Sequence, residues 1–339
     1  MSEEIPKVIV VTGPTGIGKS NFAIELAKQL KSEIINGDSV QVYRDFDIGS
    51  AKLNIAEQQG VAHHMLSYID PRDTFDAARF TRDASKLIIE LNQKNKIPIV
   101  CGGTGLYLRS LLCGLADVPE VTTQAKSKLK EKEKSLAEHE LKPGLYKWLC
   151  ELDSEAARHV DSSDIQRVRR ALLVFLSTGL SLFSFQIEHQ HKETPFHALV
   201  IILKMEKEVL NKRINLRVKE MINSGLIEEV RKLLAIYPLK SNAFNAIGYR
   251  HAVEFLRGDY EQERMLELLK RDTRHFAKRQ RTWWRNQPRV LGWGILGPGI
   301  LDWDFLNESA SPSLEKFISN YFLESSNKIS YLDLKYDGF

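Results

Sequence analysis

The chain alternates short apolar runs with segments whose apolar residues recur at helical spacing. Four runs have the length and β-branched composition of buried strands: residues 8–12, 33–36, 97–101 and 197–203. Between these runs, residues 21–30 and 74–91 each place their apolar side chains on one helical face. Strands that alternate with helices predict an α/β fold built on a parallel sheet.

The pattern changes near residue 115 and becomes helical until the strand at 197–203. A charged helix is predicted over 126–140, and the cluster Asp161–Asp164 has the residue types that cap a helix N-terminus. After the strand, two helical patterns follow, at 207–224 and 227–234. The sequence therefore predicts a core in two parts, residues 1–116 and 196–297. A helical insertion, residues 117–195, separates these parts, and a peripheral, partly disordered tail follows at 298–339.

The composition is that of an ordinary globular protein. Of its 339 residues, 43% are hydrophobic and 27% are charged, and no apolar run approaches the ~18 residues of a membrane span. The acidic start, Met1–Glu4, lacks a signal-peptide pattern, and Cys101, Cys113 and Cys150 show no C-x-x-C spacing. We therefore expect a cytoplasmic protein without a membrane partner, whose reduced cysteines are packing residues.

A phosphate-binding pattern follows the first strand directly. The eight residues that fit G-x-x-x-x-G-K-[ST] are Gly13, Pro14, Thr15, Gly16, Ile17, Gly18, Lys19 and Ser20. Backbone N–H groups of such a loop cradle phosphate oxygens, the lysine reaches a terminal phosphate and the hydroxyl holds Mg²⁺. The pattern does not reveal which phosphorylated molecule binds.

Two further strands end in residues suited to the same crevice. Asp38 follows the strand at 33–36, after Gly37, and Gly102–Gly105 follows the strand at 97–101. The carboxyl ends of parallel strands meet at one edge of a sheet, so these loops should lie beside the phosphate-binding loop. Taken alone, an aspartate here is more often a turn former or a helix cap, and paired glycines are common in turns.

Basic residues are concentrated in two places. Arg213 and Arg217 share a helical face, which can either clamp a pyrophosphate or simply face solvent. In Lys270–Arg289, eight of twenty residues are Lys or Arg, and His275, Trp283 and Trp284 lie among them. This composition favours contact with a nucleic acid, because cations bind the phosphate backbone and aromatic rings stack on bases. The alternative is a solvated helix whose tryptophans lie in the core.

Together these motifs resemble the bacterial-type tRNA dimethylallyltransferases, also called tRNA isopentenyltransferases. The matching stretches are GPTGIGKS (13–20), GDSVQVYRDFDIGSAK (37–52), GGTGLYL (102–108), DIQRVRRAL (164–172), RVKEMINSG (217–225), AIGYR (246–250) and TRHFAKRQRTWWR (273–285). The resemblance implies a P-loop NTPase-like parallel core with an inserted helical domain. It also implies transfer of the dimethylallyl group from dimethylallyl diphosphate to N6 of the adenosine 3′-adjacent to the anticodon, in tRNAs that read codons starting with U.

Residue roles follow from the same resemblance. Asp38 matches the general base, Lys19 and Arg217 match diphosphate binders, Ser20 matches the Mg²⁺ and phosphate hydroxyl, and Thr104 matches a contact to the flipped adenosine. The residues that fall where the family touches the tRNA anticodon stem-loop are Asp38, Ser39, Val40, Gln41, Thr104, Lys126, Ser162, Ser163, Asp164, Ile165, Gln166, Asn242, Ala243, Phe244, Asn245, Ala246, Ile247, His275, Phe276, Ala277, Lys278, Arg279, Gln280, Arg281 and Thr282. Lys126 falls near a position usually occupied by arginine. We expect a monomer with Mg²⁺ as its cofactor and without the zinc finger of eukaryotic relatives.

Two other enzyme classes share the phosphate-binding loop. A P-loop kinase or NTPase would use ATP, but the sequence shows no aspartate-ended strand of Walker B type, and such an enzyme does not need the basic block. A prenyltransferase acting on free AMP or ADP would share the loop and Asp38, but it needs neither the insertion nor the basic block. A non-catalytic RNA-binding module would need neither Lys19 nor Asp38.

Overall fold

The computed structural model describes residues 5–189, 195–291, 294–295, 318, 320–323 and 329–335. The chain divides into two compact units. The first unit combines Met1–Cys113 with Thr194–Phe339, and the second is Gly114–Glu193. Within the described ranges, every helix is too short or too polar to cross a bilayer.

Among the described residues, the strands all belong to the first unit: β1 (Lys7–Thr12), β2 (Ile34–Asn36), β3 (His63–His64), β4 (Ile99–Cys101), β5 (His197–Lys204), β6 (Gly294–Ile295) and β7 (Ile329–Lys335). Its helices are α1 (Lys19–Gln29), α2 (Ala77–Gln93) and α3 (Gly105–Cys113) before the second unit. The second unit contains α4 (Thr123–Lys134), α5 (Leu141–Leu152), α6 (Ser154–His159), α7 (Ile165–Thr178) and α8 (Leu182–His189). The first unit then continues with α9 (Lys207–Asn223), α10 (Leu226–Ile236), α11 (Ile247–Leu256) and α12 (Gln262–Leu291).

A parallel sheet forms the centre of the first unit, in the strand order β3-β2-β4-β1-β5-β7-β6 among the described residues. The strand that precedes the phosphate-binding loop is central, because Ile9 of β1 pairs with Ile99 of β4 and with Leu199 of β5. The predicted α/β fold with a parallel sheet is confirmed.

The central strand is covered on both faces, as its uninterrupted apolar sequence predicts. Val8 and Val10 point to the side on which α2 packs through Phe80 and Ile88. The intervening Ile9 packs on the opposite side with residues of α1 and α9. A strand buried on both faces holds the loop that follows it in a fixed position.

The prediction of a peripheral tail at 298–339 is wrong for residues 329–335. They form β7, which pairs with β5 from Ala198 with Ile329 to Lys204 with Lys335. In addition, the Tyr321 hydroxyl donates a 2.9 Å hydrogen bond to the carbonyl oxygen of Ala198. The reason is geometric, since β5 has a free edge on the side away from β1 and backbone groups on such an edge need partners. The prediction that the tail is partly disordered applies to residues that lie outside the described ones.

In the second unit, the Asp164 side chain caps α7 by accepting a 3.2 Å hydrogen bond from the N–H of Arg167, as the sequence predicts. The charged helix is shorter than predicted, because α4 ends at Lys134 and a 3₁₀ turn follows at Glu138–Glu140. The core of this unit is small, with Leu145, Leu149, Val168, Ala171 and Leu172 at its centre.

Candidate active site

The phosphate-binding loop joins β1 to α1. Gly18 precedes the first residue of α1 with φ 101°, a left-handed conformation that glycine adopts without steric cost. The N–H groups at the start of α1 have no partners within the helix, and the helix dipole makes this end attractive to anions. The loop therefore has the local structure of an anion site.

Lys19 lies inside this crevice with two other charged groups. Its Nζ donates a 3.0 Å hydrogen bond to the carbonyl oxygen of Pro14. Burial lowers the pKa of Lys19 to about 8; the neighbouring Cys101 and Asp38 act in the opposite direction, and Arg217 lowers it further. Burial likewise lowers the pKa of Arg217, and the Asp38 carboxylate offsets part of this shift. Lys19, Asp38 and Arg217 thus come from three separate elements and interact in one place.

Asp38 follows β2 and is held by its own turn. Its Oδ1 accepts hydrogen bonds from the N–H of Val40 at 2.8 Å and from that of Gln41 at 3.2 Å. Within the described residues, Oδ2 has no hydrogen-bond partner. The carboxylate therefore acts as a turn former through one oxygen and leaves the other for a ligand.

The ends of β2 and β4 lie in close contact. The N–H of Gly37 donates a 2.8 Å hydrogen bond to the carbonyl oxygen of Cys101. A Cβ at Gly102 would clash with the backbone of Gly37, so a residue with a side chain at position 102 would push the two loops apart. The hydroxyl of Thr12, at the end of β1, donates a 2.9 Å hydrogen bond to the carbonyl oxygen of Gly102. The three strand ends are therefore joined directly.

Thr104 links the glycine loop to the loop of Asp38. Its Oγ1 accepts a 3.1 Å hydrogen bond from the N–H of Ser39 and donates a 3.3 Å hydrogen bond to the Ser39 Oγ. Thr104 therefore contacts the residue that follows Asp38, although the two loops follow different strands.

The basic block lies on α12, and its faces differ in burial. His275, Lys278 and Arg279 are exposed, whereas Ala277, Gln280 and Trp284 are buried. An open pocket of about 560 Å³ is lined by His275, Lys278, Arg279, Thr282, Trp283 and Asn286. Trp284 is 2% exposed and packs in the core, as the alternative interpretation of this segment predicts, whereas Trp283 is only partly buried.

The remaining predicted RNA contacts are distributed over both units. In the first unit, Asn242 and Asn245 are exposed, whereas Ala243 and Phe244 between them are buried. In the second unit, Lys126, Ser162, Ser163 and Gln166 are exposed, and Asp164 and Ile165 are half-buried. The predicted RNA contacts of all these residues stay predictions.

Two residues play structural roles at the site that the sequence analysis did not identify. Glu229 of α10 accepts hydrogen bonds from the N–H of Ile48 at 2.7 Å and of Gly49 at 3.2 Å. Gln280 of α12 bonds to both the phosphate-binding loop and the glycine loop. The partners lie far apart along the chain, so no local pattern reveals these contacts.

Known proteins of one family are similar to this chain over most of its length. A family model described as IPP transferase matches residues 41–287. The tRNA dimethylallyltransferase of Geobacter metallireducens is 39% identical over 301 residues, which make up 88% of this chain and 96% of the relative. The tRNA dimethylallyltransferase of Carboxydothermus hydrogenoformans is 38% identical over 289 residues, or 84% of this chain and 90% of the relative.

Solved structures give the same result. The tRNA isopentenylpyrophosphate transferase of Bacillus halodurans is similar with a TM-score of 0.65 and 31% identity, covering 94% of this chain and 97% of that one. A eukaryotic dimethylallyltransferase acting on tRNA is similar with a TM-score of 0.76 and 27% identity, covering 93% of this chain and 80% of that one.

Proposed function

Because the chain belongs to the IPP transferase family, we infer that it is a tRNA dimethylallyltransferase, an enzyme that transfers a prenyl group to tRNA. We propose dimethylallyl diphosphate as the donor and N6 of the adenosine 3′-adjacent to the anticodon as the acceptor. The observation that carries this proposal is the convergence of Lys19, Asp38 and Arg217 beside the phosphate-binding loop.

The charges in this crevice suit the leaving group of such a reaction. Transfer breaks the bond between C1 of the prenyl group and the diphosphate oxygen, and negative charge develops on that oxygen. Lys19, Arg217 and the N–H groups at the start of α1 can stabilise this charge, because they are fixed in place before the substrate arrives. The same groups account for binding of the diphosphate in the ground state.

Asp38 is the candidate for the proton acceptor. The exocyclic amine of adenine is a weak nucleophile, because its lone pair is delocalised into the ring. As the new bond from N6 to C1 forms, the amine must lose a proton. We assign its acceptance to the Oδ2 of Asp38, because this oxygen has no hydrogen-bond partner among the described residues. We assign to Thr104 a contact with the same base, and its hydrogen bonds to Ser39, the neighbour of Asp38 in the chain, support this role.

The oxygen donors at the site fit Mg²⁺. Magnesium is commonly held by one or two protein oxygens together with substrate phosphates. Ser20 supplies a hydroxyl in the first turn of α1, and no group of three or more His, Cys, Asp or Glu residues that could form a cage occurs among the described residues. When bound, Mg²⁺ would neutralise charge on the diphosphate, with Ser20 as the protein ligand.

The exposed basic residues of α12 support an RNA substrate. Lys278 and Arg279 can neutralise phosphates, and His275 and Thr282 lie on the same face of the helix. An adenine stacked in an anticodon loop must leave its stack to reach a crevice at the strand ends.

The test of the function is a comparison of substrates. Purified protein is incubated with unmodified tRNA and dimethylallyl diphosphate, and the digested nucleosides are analysed by mass spectrometry. A prenylated adenosine from tRNA, with no prenylated product from AMP or ADP, is the expected result. Phosphate transfer from ATP without prenylation would support the kinase alternative, and prenylation of AMP alone would support the nucleotide prenyltransferase.

A further inference from the structure

We propose that Gln280 is a positioning residue that sets the distance between the two walls of the diphosphate crevice. This assignment rests on the proposed function, because it requires that the crevice bind the diphosphate. One wall is the phosphate-binding loop, residues 13–20, and the other is the glycine loop, residues 102–105. Gln280 comes from α12, which belongs to neither wall.

The side-chain amide of Gln280 spans the gap between the walls. Its Oε1 accepts a 2.8 Å hydrogen bond from the backbone N–H of Thr15 in the phosphate-binding loop. Its Nε2 donates a 2.8 Å hydrogen bond to the carbonyl oxygen of Gly103 in the glycine loop. A primary amide suits this place because it offers one acceptor and one donor at a fixed separation.

Gln280 is placed to act inside the protein. The residue is 7% exposed, and both polar atoms of its amide have protein partners. Leaving either backbone partner unsatisfied in this buried place would be costly, so the two bonds hold the walls firmly. RNA at the surface of α12 would meet the exposed Lys278 and Arg279 instead.

The amide lies beside the charge that acts on the diphosphate. A Cβ at Gly103 would lie 3.5 Å from the Nζ of Lys19, and it would clash with the Nε2 of Gln280. Gly103 thus lies close to both the amide and the ammonium group. A shift of the glycine loop away from Gln280 would therefore alter the surroundings of Lys19.

The next turn of α12 also packs against the glycine loop. Trp283 follows Gln280 by three residues, and a Cβ at Gly105 would clash with its indole ring. Two positions one turn apart on α12 thus face the same loop. Because Lys278 and Arg279 lie on the neighbouring face, one helix carries both the exposed cations and the residues that touch the wall.

The experiment measures two affinities for each variant. Gln280→Met has a similar size but can make neither hydrogen bond, and Gln262→Met is the matched control at an exposed position of the same helix. Binding of inorganic pyrophosphate is measured by calorimetry without RNA, and binding of tRNA is measured without donor. We expect Gln280→Met to weaken pyrophosphate binding about tenfold, while its tRNA affinity stays within about twofold of wild type. In steady-state assays, KM for the donor should rise and KM for tRNA should stay unchanged.

A substitution in the glycine loop tests the same contact. Gly103→Ala should displace the Gln280 amide, so it should weaken pyrophosphate binding by a similar factor. Combined with Gln280→Ala, which makes room for the new methyl group, it should add little to the loss caused by Gln280→Ala alone.

Three results would overturn the assignment. Weakened tRNA binding by Gln280→Met with unchanged pyrophosphate affinity would make Gln280 an RNA contact. Wild-type pyrophosphate affinity in both Gln280→Met and Gly103→Ala, with binding abolished in Lys19→Ala, would exclude a positioning role but leave the diphosphate site intact. Absence of pyrophosphate binding by the wild-type protein would reject the diphosphate site itself, and the role of Gln280 with it.

Discussion

The hydroxyl of Tyr249 donates a 2.7 Å hydrogen bond to Oε1 of Glu229. The same carboxylate accepts hydrogen bonds from the backbone N–H groups of residues 47–49. Because Glu229 lies on α10 and Tyr249 on α11, the two helices jointly hold that loop. Burial and the Glu229 charge raise the pKa of Tyr249 well above its usual range, which keeps the phenol protonated and able to donate. The loop at residues 47–49 belongs to the same stretch of sequence as Asp38, residues 37–52. Glu229, from a helix distant in the chain, therefore fixes part of this stretch.

Removal of this carboxylate should destabilise the protein. Glu229→Ala leaves a phenol and several N–H groups without their acceptor, and we expect a loss of about 2–3 kcal/mol in the free energy of unfolding. Urea denaturation followed by circular dichroism measures this loss. Glu228→Ala is the matched control, because this neighbouring residue is exposed. Equal losses for the two variants would show that the carboxylate does not anchor the loop.

Asp38→Asn should separate turn formation from catalysis. The amide oxygen of asparagine can still accept from the N–H groups of Val40 and Gln41, so the turn should survive. The variant lacks a proton acceptor, and we expect the single-turnover rate with saturating donor and tRNA to fall by about 10²–10⁴. Affinities for pyrophosphate and tRNA should change little. A rate near that of wild type would mean that another group takes the proton.

Binding of pyrophosphate should depend on pH through Lys19. Its pKa is lowered to about 8, so the ammonium loses its proton as the pH rises through that value and the affinity should fall. The effect of Lys19 on the stability of the fold changes with pH in the opposite direction. Between about 8 and the ordinary value of 10.5, the unfolded chain holds the additional proton, so this group makes folding more favourable as the pH rises. Calorimetry on either side of pH 8 checks the binding, with Lys19→Arg as the control because arginine stays charged. A pH dependence that persists in Lys19→Arg would assign the titration to another group.

The three cysteines should differ in reactivity. Burial raises the pKa of the Cys101 thiol to about 12, whereas Cys150 is exposed, contrary to the expectation that all three are packing residues. Thiolates are the reactive form, so iodoacetamide should modify Cys150 first in the folded protein. Peptide mass spectrometry gives the order of modification, and the same reaction in denaturant should modify both sites. Early modification of Cys101 in the folded state would contradict its burial.

The cations of α12 should determine how tRNA binding responds to salt. Replacing Lys278, Arg279 and Arg281 with alanine should weaken tRNA binding and flatten the plot of log affinity against log salt by about 0.7–0.9 for each phosphate that the variant no longer neutralises. Pyrophosphate affinity should remain nearly unchanged. The control is Arg231→Ala with Lys232→Ala, two exposed cations on α10. If the control flattens the slope equally, the effect reflects total charge and α12 has no special role.

Local patterns predicted the part of the site that each segment builds by itself. The strand at 8–12, the phosphate-binding loop and α1 are consecutive, so sequence spacing determines their geometry. The crevice could also be predicted, because the carboxyl ends of parallel strands lie at one edge of a sheet, and β4 indeed lies between β1 and β2.

Contacts between distant segments could not be predicted in this way. β7 consists of residues whose apolar run is too short to identify a strand, and only pairing with β5 makes it one. Trp284 lies within a strongly basic segment, so its composition indicates exposure, whereas the helical phase turns this side chain into the core. The roles of Gln280 and Glu229 depend on partners more than 150 residues away along the chain.

The hydrogen bond between Thr15 and Gln280 has a consequence for biosynthesis, because 265 positions separate the two residues. Domains tend to fold as translation proceeds, and at about 5–20 residues per second the ribosome needs about 13–53 s to make the intervening segment. Throughout that interval the nascent phosphate-binding loop lacks the side chain that holds it to the opposite wall. A newly started chain therefore cannot complete its diphosphate crevice until α12 has left the exit tunnel, however early β1 and α1 have formed.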